Sequence, residues 1–273
     1  MRVRVFEAGG GQRVGARVAY VEGPSLDRED GQGLARRLGA PLTVLELAPR
    51  RDDCAVRLRV FTPMRELPLS VEAAWCAGRV HGLEELVVEM GVTATAVRSE
   101  GEALVAALPT PVLGHRAVED LLPVATALGI EEECLDGAWA VLAGSCGVNV
   151  LVVPVGSRAT LDRVRLHPEA WQRVMEKAKH VGALVVATEE GGREARFVGG
   201  PSGLWDGTGC ALALAPWALS RARAGELAAD ALYALRGEGE FGMEVEVTLD
   251  QDGAWTMRGA VRLVSEGRVV TAA

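Results

Sequence analysis

Hydrophobic and polar positions alternate with a period of two along residues 2–7, with Val3 and Val5 set against Arg2 and Arg4. The alternation returns at 55–61, where Val56, Leu58 and Val60 oppose Arg57 and Arg59. Period two is the mark of a half-buried strand. Further strand-like runs fall at 14–21, 43–48, 86–90, 93–99, 103–108, 139–143, 149–154, 183–188, 193–198, 243–249 and 255–264. A helix is expected after Pro24. Ser25 or Asp27 can cap it, Leu34 and Leu38 lie four apart on one face, and Gly39 stops it. Helices are also expected over 116–128, 168–181 and 226–235. Two segments, 71–81 and 208–222, are apolar on nearly every side. A helix that is greasy all round has to be buried all round. Pro216 should kink the second of them or displace one turn.

These two helices make the chain a repeat. Each follows a strand carrying a phenylalanine, and superposing Phe61 on Phe197 puts Ser70 on Asp206, Val71 on Gly207, Glu72 on Thr208 and Ala73 on Gly209. Pro109-Thr110-Pro111 punctuates the chain between the copies. The expected division is a first half over 1–110 and a second half over 111–263, with 264–273 returning to the first. A duplication of this kind brings two helix starts to one cleft, the usual place for a small-molecule site. Free N–H groups and the helix dipole make such a start a site for a carboxylate or phosphate. Gly207-Thr208-Gly209 ahead of the second helix is the anion-site candidate, with the N–H groups of Thr208, Gly209 and Cys210 as donors.

Composition narrows the function classes. The 273 residues are 49% hydrophobic, enough for substantial cores, yet no apolar run reaches the roughly 18 residues of a membrane span. Net charge is −8 with no basic cluster, which argues against a nucleic-acid partner. The N-terminus reads as a strand rather than an apolar signal core, so a cytoplasmic location is expected. Five cysteines (54, 76, 134, 146 and 210) are widely spaced with no CxxC pair, and the four histidines have no metal-ligand spacing. Reduced thiols and no metal site are the expectation. Lysine occurs only at 177 and 179 and asparagine only at 149, which suits a GC-rich genome and a thermophilic host.

Three stretches resemble one family. The run 55–69 (AVRLRVFTPMRELPL) is similar to the strand, FTP turn and ELP approach to the first buried helix of the PhzF-like phenazine biosynthesis proteins. These lie within the diaminopimelate epimerase and proline racemase superfamily. Residues 26–43 are similar to the helix and loop carrying that family's SET motif, and 206–211 (DGTGCA) to its DPxTGSA motif. The resemblance covers most of the chain. It implies an α+β fold of two pseudo-symmetric β-barrel-like halves, each around a central helix, with the active site between them. It further implies isomerase or epimerase chemistry on a small carboxylate by proton transfer, no cofactor, and a homodimer.

The catalytic positions differ from the family pattern. Its SET glutamate falls on Leu42, and the histidine of its GH(P/A)T motif falls on Glu72. The aspartate of DPxTGSA falls on Trp205, with Asp206 one place later, and its serine falls on Cys210. The two cysteine positions of the racemase branch hold Ser70 and Asp206. Asp206 and Glu72 are the carboxylates left to act as acid and base. Each has a structural alternative: Asp206 as a helix cap, Glu72 as a first-turn acid complementing the dipole. Ser70 can cap the first helix, and Cys210 is either a reactive first-turn thiol or a packed one. Two readings stay open. One is an isomerase using Asp206 and Glu72, with Ser70, Gly207, Thr208, Gly209 and Cys210 contacting substrate. The other is a catalytically inactive protein of the same fold that binds a small ligand or acts as a dimer.

Overall fold

The structure is a computed structural model, and it describes residues 1–11, 13–23, 28–91, 93–176, 180–199, 210–226, 230–237 and 241–269. The first half begins with strands β1 (Arg2–Ala8) and β2 (Ala16–Glu22), helix α1 (Arg28–Leu38), and strands β3 (Leu42–Leu47), β4 (Val56–Phe61) and β5 (Glu66–Leu67). Helix α2 (Val71–His81) and strands β6 (Glu85–Glu89), β7 (Ala94–Glu100) and β8 (Ala103–Leu108) follow. The second half contains β9 (Val112–Ala117), α3 (Leu122–Leu128), β10 (Leu142–Ser145), β11 (Asn149–Val155), α4 (Arg158–Arg163) and α5 (Pro168–Glu176). It continues with β12 (Gly182–Ala187), α6 (Glu189–Gly192), β13 (Glu194–Val198), α7 (Leu214–Arg223), β14 (Asp230–Arg236), β15 (Gly242–Leu249) and β16 (Trp255–Arg268).

Strand β16 joins the two halves. Its first part pairs with β8 from Trp255 to Ala260, and its second part pairs with β1 from Val261 to Arg268. The order β1-β2-β3-β4-β6-β7-β8-β16 is thereby closed on itself, which removes the free edges of the first sheet. Beyond β16 the sheet runs on as β15-β14-β13-β12-β11-β10-β9. Helix α2 fills the first barrel. From Val71 to Gly78 every residue is buried, as its all-round apolar pattern requires. Trp75 lies against β16, where Gly259 admits it: a Cβ there would stand 2.6 Å from the indole. Helix α7 packs against β9, β10 and β15. The two helices share one continuous apolar core, while α1 and the α3–α5 group each cover a smaller core on the outer faces of the sheets.

Several expected elements change. In place of the helix expected over 226–235, residues 230–236 form β14, paired with β13 and β15. Ala231, Tyr233 and Leu235 are buried while Leu232 is exposed, so the working period is two. The helix expected over 116–128 forms only over its later part, as α3 from Leu122, while Arg116 and Ala117 end strand β9. The strand expected at 139–143 is displaced to Leu142–Ser145, and β16 runs four residues beyond its expected end at 264. Helix 208–222 is described from Ala211 onward. A 3-10 turn (Ala211–Ala213) precedes α7, which places Pro216 in the first α-helical turn. A missing N–H costs little there, so the proline ends a 3-10 segment instead of kinking a long helix.

Candidate functional site

The site is built where the start of α2 meets the start of the Ala211 helix. Ser70 caps α2 in extended geometry (φ −151°, ψ 125°), its Oγ accepting from the Ala73 N–H at 3.1 Å. The same hydroxyl donates to Glu72 Oε2 at 2.7 Å. The other carboxylate oxygen, Oε1, accepts from the backbone N–H of Ala211 at 2.8 Å, a contact across 139 residues of sequence. Glu72 is 1% exposed and Ser70 3%. Cys210, the residue at the N-cap position of the second helix, makes no side-chain cap bond. Glu72, in the first turn of one helix, therefore caps the helix of the other half.

Burial pushes the Glu72 carboxyl above its ordinary value of 4.5. Hydrogen bonds from Ala211, Ser70 and its own backbone N–H work in the opposite direction but do not cancel the desolvation. The surrounding thiols move the same way. Burial, and then the Glu72 charge, hold Cys76 and Cys210 well above the usual thiol value, and burial pushes Cys146 up to about 12. Cys210 is thus a packed thiol rather than the activated first-turn thiolate that its helix position suggested.

The β10–β11 turn closes the site from the second half. Gly147 has φ +79° and presses on the Leu69 side chain, where a Cβ would approach to 2.4 Å. Cys146 next to it donates to the Pro109 carbonyl at 3.3 Å. Sequence reasoning missed this turn because the flanking strand was placed too early. The dipeptide Cys146-Gly147 between two apolar runs was the available signal.

The structure brings Ser70, Glu72 and Cys210 to one place. Asp206, Gly207, Thr208 and Gly209, and Trp205 with them, lie outside the described residues. Leu42 is 1% exposed, on β3 opposite Val18, and its side chain belongs to the core around α2. The far end of α2 carries a second polar group: Tyr20 Oη donates to Glu46 Oε2 at 2.5 Å, and His81 Nε2 lies 3.1 Å from the same oxygen. A cleft of about 1300 Å³ opens elsewhere, and none of the described candidate residues (Ser70, Glu72 and Cys210) lines it. Two ion pairs lie in its lining, Glu7 with Arg262 and Glu194 with Arg236, each at 2.9 Å. Among the described residues, no group of three or more His, Cys, Asp or Glu is placed to hold a metal ion, and no helix is long and apolar enough to cross a membrane.

Known proteins with this architecture carry related descriptions. A predicted epimerase from Pseudomonas aeruginosa superposes with a TM-score of 0.84 at 21% identity, covering 99% of each chain. A PhzF-family phenazine biosynthesis protein from Bacillus anthracis gives 0.79 at 19% identity, again over 99% of each chain. A probable proline racemase from Agrobacterium radiobacter gives 0.66 at 12% identity, over 99% of this chain and 93% of its own. At these identities the likeness is one of fold. No curated protein matches the chain. The sequence profile of the PhzC-PhzF family, described as phenazine biosynthesis-like protein, matches residues 6–267, and the chain belongs to that family.

Proposed function

We propose that this protein is an isomerase or epimerase acting on a small carboxylate by acid–base proton transfer between its two halves. The single observation behind this reading is Glu72. A carboxyl group buried at the meeting point of two helix starts is costly, and burial keeps its proton on to higher pH. A general acid needs a proton it can hold and give up, and burial moves the Glu72 carboxyl in that direction. Glu72 then acts as the acid and Asp206 as its counterpart. Ser70, Gly207, Thr208, Gly209 and Cys210 contact the substrate. The division into 1–110 with 264–273 and 111–263 belongs to the same proposal, and the pairing of β16 with β1 supports it. A cytoplasmic homodimer completes it: the dimer rests on the family resemblance, the location on five free cysteines.

A second reading has its own support. Both Glu72 oxygens are engaged within the chain, and the position of the family's SET glutamate is a core leucine. Both facts favour a ligand-binding protein without turnover. Solvent deuterium incorporation into a panel of amino acids and dihydro-hydroxyanthranilate separates the two. The isomerase reading expects exchange on at least one compound, reduced about 10²- to 10⁴-fold in Glu72→Gln and in Asp206→Asn. Exchange on none, or exchange unchanged in both variants, overturns it.

A further inference from the structure

One carboxylate draws on donors from both halves of the molecule. The Ala211 N–H comes from the second half, and the Ser70 hydroxyl and the Glu72 N–H from the first. These donors are buried, and among the described residues Cys210, at the N-cap position, makes no side-chain cap bond to the Ala211 helix. Without Glu72 the Ala211 N–H would be left unpaired at the positive end of a helix. Anion-binding positions at helix starts have this composition. Here the carboxyl group that fills the position is tethered to the protein.

We propose that Glu72 is a built-in ligand: its side chain fills a carboxylate-binding position shared by the two helix starts and so excludes external carboxylates from it. A small carboxylate entering the site has to be held by donors other than the Ala211 amide. The residue thereby sets specificity, because it removes one carboxylate-recognition point from the pocket. Truncation defines the ligand that would fit the vacated position. Glu72→Ala deletes Cγ and the carboxylate, which is the volume of one acetate ion. The inference concerns occupancy alone, and a negative exchange assay leaves it standing.

The test uses the full chain, wild type and Glu72→Ala, with sodium acetate as the probe and sodium chloride at equal ionic strength as the control. Acetate should bind Glu72→Ala at least about tenfold more tightly than wild type, as expected when a charged hydrogen-bonded group is replaced in kind. It should raise the Tm of the variant and shift the Ala211 amide resonance, and acetamide should do less than acetate. Glu72→Gln keeps the position filled, so acetate should leave its Ala211 resonance unmoved. Should Glu72→Ala fail to fold in chloride, recovery on refolding in acetate is the expected result, and equal failure in both salts overturns the proposal. It is also overturned if acetate affects wild type and variant alike, or shifts only amides remote from Ala211 and Ser70.

Discussion

Gly259→Ala tests the packing that places Glu72. Gly259 lies on β16 between the segment paired with β15 and the segment paired with β1, opposite Leu104 of β8. A Cβ added there would stand 2.6, 2.7 and 3.0 Å from Cη2, Cζ3 and Cζ2 of Trp75. Carbon atoms prefer separations of about 3.5–4.0 Å, so the overlap is about 1 Å. The indole cannot swing away freely: it is fully buried, and its Nε1 donates to the Met257 carbonyl at 3.3 Å. Two effects oppose each other. Gly259 is not among the positive-φ glycines. Replacing such a glycine by alanine ordinarily stabilises by about 0.4–1 kcal/mol through the unfolded chain. Overpacking a tight core costs about 1–3 kcal/mol. With backbone on one side and a pinned ring on the other, overpacking should win, leaving a net loss of about 1–2 kcal/mol. At about 2–4 °C per kcal/mol, Tm should fall by several degrees. Urea titration and calorimetry measure it directly. Trp75→Phe removes the far ring edge, so the double variant should recover about 0.5–3 kcal/mol relative to the sum of the single losses. Gly259→Ala as stable as wild type, or strict additivity in the double variant, would refute the reasoning. Trp75 lies one turn from Glu72, so a shift of the ring should also weaken the bond to Ala211.

Other perturbations probe the same core. Because the folded Glu72 carboxyl binds its proton more tightly than the unfolded one, its stabilising contribution is full below the ordinary 4.5 and is lost as pH rises through the folded value. Glu72→Gln should therefore gain on wild type with rising pH, by up to about 1.4 kcal/mol per pH unit in that window; urea titrations from pH 4 to 8 that run parallel would contradict this. Leu42→Glu, which restores the family's carboxylate, puts an unpaired acid into the α2 core and should cost several kcal/mol, roughly the 2–5 kcal/mol of a lost leucine or more; a variant with native Tm would show the site to be open. Cys134 is the one cysteine that is not buried, so a disulfide reagent at pH 8 should modify one thiol quickly and all five after unfolding; a second fast thiol in the native protein would be inconsistent with the burial of Cys76, Cys146 and Cys210.

The two buried helices were legible because an all-round apolar stretch leaves few options. The α2 bounds and its Ser70 cap follow from local chemistry alone. Strand β4 was legible for the same reason: Val56, Leu58 and Val60 join the α2 core while Arg57 and Arg59 face away. On β1 the alternation was legible but its sense was not, since Arg4 shares the face of Tyr20 and Val3 packs in the core under α1. Legibility failed where propensity and environment disagree. Residues 230–236 contain Ala231, Leu232, Ala234 and Leu235, all good helix formers, and only pairing with β13 and β15 makes them a strand. At β9, Val112–Ala117 is a short strand with polar and small residues, paired on one side to β10, and its alternation is too weak to read.

The candidate site failed to be fully legible for a different reason. An acid in the first turn of α2 reads as a complement to its own helix dipole, and the superposition of the two repeats set Glu72 over Thr208, not beside Ala211. The bond that defines the site joins residues 139 positions apart and depends on how two distant helix starts are brought together, which no local pattern encodes. Once that bond is known, the replacements make chemical sense together. Cys210 makes no side-chain cap bond at the second helix start, the first half supplies a carboxyl group, and burial holds the neighbouring Cys76 and Cys210 thiols well above their ordinary value. A histidine in place of Glu72 could not serve both donors in this way, since its neutral ring offers a single acceptor nitrogen while the carboxylate offers two oxygens. On the proposed occupancy, a glutamate where the resemblance places the family's histidine changes what the helix starts bind, and the Ala211 amide is where that change can be measured.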